Sequence, residues 1–230
     1  MKILALDTTA NTSSACVLEN EKLLGIYTVN TKNTHSETLL PMIKHLFETL
    51  NITNEDIDAY AVSNGPGSFT GVRIGVSTIK GLAFDTKKPC VEVSTVEALA
   101  ENLDGFDGIV CPIMNARRGQ VYTGAFLNKS RILDDCCMML DDLIPLLEKY
   151  NEKIYFTGDG YCLVLDKEIK NKMSTPEPLR YQNAYSVGKI AYNKLQDGIT
   201  VSDSELRVEY LRKPQAERER EEKLEKENNK

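Results

Sequence analysis

The 230-residue chain contains no tryptophan and only two histidines, His35 and His45. A helical metal site of the two-histidine type needs the pair at i and i+4. Position 39 is leucine and His45 lies ten residues from His35, so that arrangement is excluded. A single histidine cannot hold a catalytic metal, which leaves His35 a capping or hydrogen-bonding residue. No Cys-x-x-Cys pair occurs among the six cysteines Cys16, Cys90, Cys111, Cys136, Cys137 and Cys162. Neighbouring Cys136 and Cys137 have poor geometry for an ordinary bridge. Several of the six sit in apolar runs, where a thiol acts as a small hydrophobe. A reducing, cytoplasmic setting is expected. Positive charge is not in excess: 28 Lys and Arg face 34 Asp and Glu, a net charge of −6. A general basic field for wrapping nucleic acid is therefore excluded. No apolar run reaches membrane-spanning length. The start Met1-Lys2-Ile3-Leu4-Ala5-Leu6-Asp7 turns acidic too soon for a signal peptide. No Ser–His–Asp triad, nucleophilic cysteine site or zinc cluster is recognisable.

What is present is a globular pattern. A hydrophobic fraction of 41% over this length suits one large domain or two small ones with a proper core. Ile3 to Asp7, Ser13 to Leu18 and Leu23 to Val29 read as three strands, with Glu19-Asn20-Glu21-Lys22 as a hairpin turn. Ser36 to Leu50 reads as a helix with apolar residues Leu39, Leu40, Ile43, Leu46, Phe47 and Leu50 on one broad face. Thr34, Ser36 and Thr38 are all candidate N-caps, and Pro41 is expected near the helix start. Ala59 to Ser63 reads as a buried strand, and a second helix runs from about Thr70 to Phe84. Val72, Val76, Ile79 and Ala83 line one of its faces; Gly71, Gly75, Thr78 and Leu82 line the adjacent one. Glycine costs a helix about 1 kcal/mol against alanine, so two on one stripe predict a close neighbour. Cys90 to Ser94 reads as a strand and Val96 to Leu103 as a helix. In the second half Ile109 to Met114, Gln120 to Leu127 and Ile154 to Thr157 read as strands, and Leu140 to Tyr150 and Tyr185 to Leu195 as helices. The order predicts an α/β fold with mixed sheets. No internal repeat is visible at 20–50 residues. From Gln215 to Lys230 the chain is nearly all charged or amide residues, a solvated tail or frayed helix.

Two segments and three arginines carry candidate chemistry. Asp7-Thr8-Thr9 ends the first strand, where α/β sheets place ligands. An acid and two hydroxyls there can meet a hydrated metal and phosphate oxygens, or the acid can simply cap the next turn. Gly65-Pro66-Gly67-Ser68-Phe69-Thr70-Gly71 follows a strand and opens a helix, whose free N–H groups suit an anion. It lacks the Gly-Lys-Ser/Thr of a Walker A loop and the Rossmann spacing, and its spacing alone suits a tight turn made only for packing somewhat better. Candidate anion or nucleotide contacts are therefore Asp7, Thr8, Thr9, Gly65, Gly67, Ser68 and Arg73. Arg117 and Arg118, in a polar turn at 115–119, are the other basic candidates.

Three stretches then converge on one family. Met1-Lys2-Ile3-Leu4-Ala5-Leu6-Asp7-Thr8-Thr9, His35-Ser36-Glu37-Thr38-Leu39-Leu40-Pro41-Met42-Ile43 and Gly65-Pro66-Gly67-Ser68-Phe69-Thr70-Gly71-Val72-Arg73-Ile74-Gly75 closely resemble the TsaB (YeaZ) family. That family serves the bacterial machinery making threonylcarbamoyladenosine in tRNA. The likeness covers nearly the whole chain and is most specific in the first hundred residues. Tyr210-Leu211-Arg212 and Gln215-Ala216-Glu217-Arg218 resemble the family's C-terminal end, and Asn115-Ala116-Arg117 stands where many relatives have Asp-Ala-Arg.

The resemblance implies an actin-like (sugar-kinase/Hsp70, ASKHA) fold of two related ribonuclease H-like domains. The expected divisions are 1–102, 103–213 with its last helix packing back on the first domain, and a charged tail at 214–230. It implies a catalytic partner, TsaD, which carries an H-x-x-x-H metal motif; here that motif is reduced to His35 with Leu39 in the second place. It implies an ATPase subunit, TsaE, self-association as a homodimer, and contact with tRNA only through the complex. No catalysis by the chain alone, no metal and no tightly bound cofactor are expected, with ATP or ADP at most weak or interface-dependent. Family members pair through their first two helices. The expected interface is thus Leu39, Leu40, Ile43, Leu46 and Phe47 with Gly71, Val72, Gly75, Val76, Thr78, Ile79 and Leu82. The alternatives are a lone ATP-binding hydrolase or phosphotransferase, drawing on Asp7-Thr8-Thr9 and the glycine loop, and a purely structural homodimer.

Overall fold

A computed structural model gives the fold of residues 1–31 and 33–212. The expected charged tail lies outside the described residues. The elements run β1 (Lys2–Asp7), β2 (Thr12–Glu19), β3 (Lys22–Asn30), α1 (His35–Leu50), β4 (Ala59–Gly65), α2 (Phe69–Ala83), β5 (Cys90–Ser94) and α3 (Thr95–Glu101). The second half adds β6 (Ile109–Arg117), β7 (Gln120–Leu127), β8 (Ser130–Met139), α4 (Leu140–Glu148), β9 (Ile154–Thr157), β10 (Lys172–Met173) and α5 (Ala184–Gln196).

Two five-stranded mixed sheets form, ordered β3-β2-β1-β4-β5 and β8-β7-β6-β9-β10. In each, the first three strands are antiparallel neighbours and the last two join the first in parallel. The same topology is thus used twice, although no repeat is visible in the sequence. This duplicated mixed sheet is the actin-like arrangement. Burial pattern and strand order persist where residue identity does not.

Both faces of the first sheet are covered. Leu4, Leu6, Val17, Tyr60 and Val62 face α1 and α2, and Ile3, Ala5, Cys16, Val91 and Val93 face α5. A strand buried on both sides reads as a continuous apolar run, which is why Ile3 to Leu6 shows no alternation. Helix α5 is contributed from beyond the second sheet, and α3 in turn touches β6 and β7. Ala10, Leu99 and Met114 form a small buried cluster that joins the halves.

Three local expectations need correction. Helix α1 begins at His35 with Thr34 as N-cap, and the Thr34 backbone N–H donates to Glu37 Oε2 at 3.0 Å. Pro41 therefore lies in the second turn, inside the helix. It is tolerated because it is exposed, so water can reach the carbonyl that its missing N–H leaves free. Strand β8 is absent from the sequence-based expectations, since Asp134-Asp135 interrupts its apolar pattern; it is an edge strand that leaves Asp134 exposed. Finally, β6 continues to Arg117 and the hairpin turns at Arg118-Gly119, both with positive φ.

Candidate functional site

Two features stand out: the cleft between the sheets and a groove between α1 and α2. The cleft lies at the C-terminal ends of β1 and β4. Asp7 is fully buried there. Its Oδ1 accepts from the Thr9 backbone N–H at 2.9 Å and the Thr9 hydroxyl at 2.8 Å; its Oδ2 accepts from the Ser63 hydroxyl at 2.6 Å. Burial raises its carboxyl above the ordinary range, and these donors pull it partly back. The Thr8 hydroxyl donates to the Gly71 carbonyl at 2.7 Å, and the Ser68 backbone N–H donates to the Thr9 carbonyl at 2.7 Å. Ser68 caps α2, accepting from the Gly71 N–H at 3.3 Å.

The structure thus gathers Asp7, Thr8, Thr9, Gly67 and Ser68, but directs their polar atoms at one another. A Cβ on Gly67 would lie 2.7 Å from Thr9 Cβ, so the glycine loop packs directly on Thr9. Gly65 has φ +128°, and a Cβ there would overlap the Glu209 carbonyl oxygen. The C-terminal segment covers the loop from above: the Glu209 N–H donates to Asn64 O at 2.8 Å, and Arg212 Nη1 donates to Ala116 O at 2.9 Å across the cleft. Thr9, Gly67 and Ser68 also line the open cleft, about 660 Å³, together with Arg117 and Arg212. Arg73, expected beside them, lies instead on the helix groove side.

The second sheet contributes an acid that is not among the sequence-based candidates. Asp159 follows β9, the strand equivalent to β4, and lines the cleft with Thr9, Asn115, Arg117, Tyr122 and Arg212. Burial and, less strongly, the negative field of Asp7 push its carboxyl up to about 6, against donation from the Asn115, Asp159 and Gly160 backbone N–H groups. Its Oδ1 is buried without a partner among the described residues. The available signal was Gly158-Asp159-Gly160 after an apolar strand. Gly158 has φ +102° and packs against the Ile113 carbonyl, a close approach that only glycine allows. Among the described residues no three His, Cys, Asp or Glu side chains gather as a metal site.

The groove between α1 and α2 is the more apolar feature, about 620 Å³, beside a cleft of about 660 Å³. Its walls include Leu39 and Leu40 from α1 and Phe69, Ile74, Thr78, Gly81 and Leu82 from α2. Leu40 is 56% exposed, a large apolar side chain that the other described residues leave largely uncovered. His35 Nε2 hydrogen-bonds the Ala10 carbonyl at 2.7 Å, so the ring closes the groove's end.

The expected interface set divides here. Leu39, Ile43, Leu46, Val72, Val76 and Ile79 are core residues of this chain. Gly71 and Gly75 do not present an open face: a Cβ on Gly75 would lie 2.6 Å from Thr8 Oγ1, and one on Gly71 would overlap the Thr8 carbonyl oxygen. The close neighbour that their stripe predicted is strand β1's own end. Leu40 and Thr78 remain available, with Phe47 and Leu82 half-buried against the core. Ile74 and Gly81 join them; a methyl group placed on Gly81 would meet nothing within 4 Å.

The family model described as TsaD, tRNA N6-adenosine threonylcarbamoyltransferase, matches residues 12–218. A Bacillus subtilis protein named tRNA threonylcarbamoyladenosine biosynthesis protein TsaB is 37% identical over 71% of this chain and 73% of its own length. The chain belongs to the TsaB (YeaZ) family. A TsaB of Haemophilus influenzae is 27% identical over 92% of this chain and 94% of that protein. A crystal structure of a YeaZ-like protein from Pseudomonas aeruginosa has a TM-score of 0.78 at 24% identity, covering 92% of this chain and 99% of the other. That likeness speaks for the fold. TsaD-type sequences are related as well: one from Brachyspira hyodysenteriae is 30% identical over 43% of this chain and 34% of its own length. No helix among the described residues is long and apolar enough to cross a membrane.

Proposed function

We propose that this TsaB-family chain serves tRNA threonylcarbamoyladenosine biosynthesis as a non-catalytic subunit that binds and activates the TsaD-type transferase. The observation that carries the reading is the apolar groove between α1 and α2, with Leu40 exposed at its edge. Apolar surface left open beside a packed core suits a protein partner. The cleft supports the same reading from the other side. Asp7, Thr8 and Thr9 spend their side-chain polar atoms within the chain, which speaks against their acting on a substrate.

In this account the complex works in the cytoplasm and includes the TsaE-type ATPase, and tRNA is met only through the assembly. The chain binds ATP or ADP weakly at most, and the same groove supports self-association as a homodimer when the partner is absent. Calorimetry of the isolated chain with ATP and magnesium tests the nucleotide statement; tight binding would favour a lone phosphotransferase.

The groove is tested by Leu40→Asp. Burying about half of a leucine contributes roughly 1–1.5 kcal/mol, and an unpaired carboxylate in its place adds a desolvation cost. Affinity for TsaD is expected to fall at least tenfold with the thermal midpoint unchanged. Unaltered co-purification would remove the groove from the account.

A further inference from the structure

Among the residues lining the α1–α2 groove, Arg73 is the single permanent charge. It is held by two contacts. Its Nε donates to the Tyr210 hydroxyl at 2.8 Å, and its guanidinium carbon lies 3.8 Å over the Phe69 ring. Tyr210 itself stacks on Phe69, with centroids 4.9 Å apart and planes at 25°. Tyr210 belongs to the C-terminal segment, which is pinned to both halves of the molecule. Asn64 Nδ2 donates to the Arg207 carbonyl at 3.3 Å, the Glu209 N–H donates to Asn64 O, and Arg212 reaches Ala116.

This geometry leaves one edge of the guanidinium unspent. With Nε engaged, Nη1 and Nη2 have no partner among the described residues. Their parallel N–H groups form the edge that matches a carboxylate in two hydrogen bonds. An arginine already fixed by a stack and a hydrogen bond loses little rotamer freedom when it binds. A free surface arginine would not need such support. The rest of the groove offers apolar side chains and hydroxyls, and His35 already uses one ring nitrogen on Ala10.

We propose that Arg73 is the charge-reading residue of the groove, and that the subunit docking there sets one carboxylate, flanked by apolar side chains, against its free edge. Tyr210 is a positioning residue, which makes the C-terminal segment part of the docking surface. This rests on the partner-groove reading above and adds the partner's chemistry to it.

The test measures association of the full-length chain with the TsaD subunit of the same organism, across a range of salt concentrations, by calorimetry. Arg73→Glu is expected to weaken binding at least a hundredfold and to remove most of its salt dependence. Arg73→Lys keeps the salt dependence but loses about tenfold, because an ammonium cannot present two parallel donors. Tyr210→Phe, which keeps the stack and loses only the hydrogen bond, is expected to weaken binding several-fold at an unchanged thermal midpoint. Leu40→Asp weakens binding and leaves the salt dependence intact. If Arg73→Glu fails to fold, Arg73→Gln replaces it with the same expectation.

Binding weakened by Leu40→Asp but indifferent to Arg73→Glu, in affinity and in salt dependence, would overturn this inference and leave the groove reading standing. Indifference to both would overturn the two together. An Arg73 effect confined to self-association of this chain would make a second copy the occupant and would equally overturn it.

Discussion

Gly75 and Gly81 stand six residues apart in α2, and the same substitution at each has opposite expected consequences. Replacing a helical glycine by alanine gains about 1 kcal/mol from backbone entropy. At Gly81 nothing lies within 4 Å of the new methyl group, so Gly81→Ala should show the gain nearly whole. For a chain of this size that is a rise of about 2–4 °C in thermal midpoint. At Gly75 the methyl would sit 2.6 Å from Thr8 Oγ1 and 3.3 Å from Val62 Cγ2. Thr8 is fully buried and its hydroxyl donates to Gly71 O, so it cannot rotate away freely. Overpacking costs about 1–3 kcal/mol, and loss of the hydrogen bond about 1 kcal/mol more. Against the helix gain, Gly75→Ala should be destabilised by about 1–3 kcal/mol. Urea unfolding of the two variants measures this directly, as midpoint shifts of opposite sign at constant slope. Equal shifts in the same direction would show that β1 is not the neighbour that Gly75 was selected for.

Asp159 supplies a pH test. Its folded-state carboxyl titrates at about 6 against an ordinary 3.8, so the folded chain holds this proton more tightly than the unfolded one. The associated stability is full below pH 3.8 and lost as pH rises through 6, in all about 3 kcal/mol. Asp159→Asn should therefore match the parent near pH ~4 and exceed it near pH ~7.5; parallel stability curves would contradict the assignment. Ser63→Ala removes one of three donors to Asp7 and should lower stability by about 2 kcal/mol, read by the same urea titration.

Much of the fold was legible because its signals are local. The alternation and apolar runs of β1 to β5, the α1 stripe and the glycine loop each mark their elements, and the family motifs lie in that half. What escaped depended on distant partners. A stripe of small residues announces that something approaches closely, but not what; at Gly71 and Gly75 the neighbour is Thr8, some sixty residues earlier in the chain. The second acid of the cleft, Asp159, had a local signal in Gly158-Asp159-Gly160, but its place opposite Asp7 follows from the duplicated topology, which leaves no repeated letters. Tyr210 gains its meaning from Arg73 and Phe69, far away in sequence. Pro41 sits deeper in its helix than expected, on an exposed face where Glu37, the residue four before it, is exposed as well.

The central claim is that this chain supports catalysis without performing it. Threonylcarbamoyladenosine formation on tRNA from supplied threonylcarbamoyl-AMP, assayed with the TsaD-type transferase, the TsaE-type ATPase and this chain, each omitted in turn, tests it most directly. The account predicts no product from this chain alone and loss of product when it is left out. Modified tRNA formed by this chain by itself, or formed undiminished in its absence, would contradict the account.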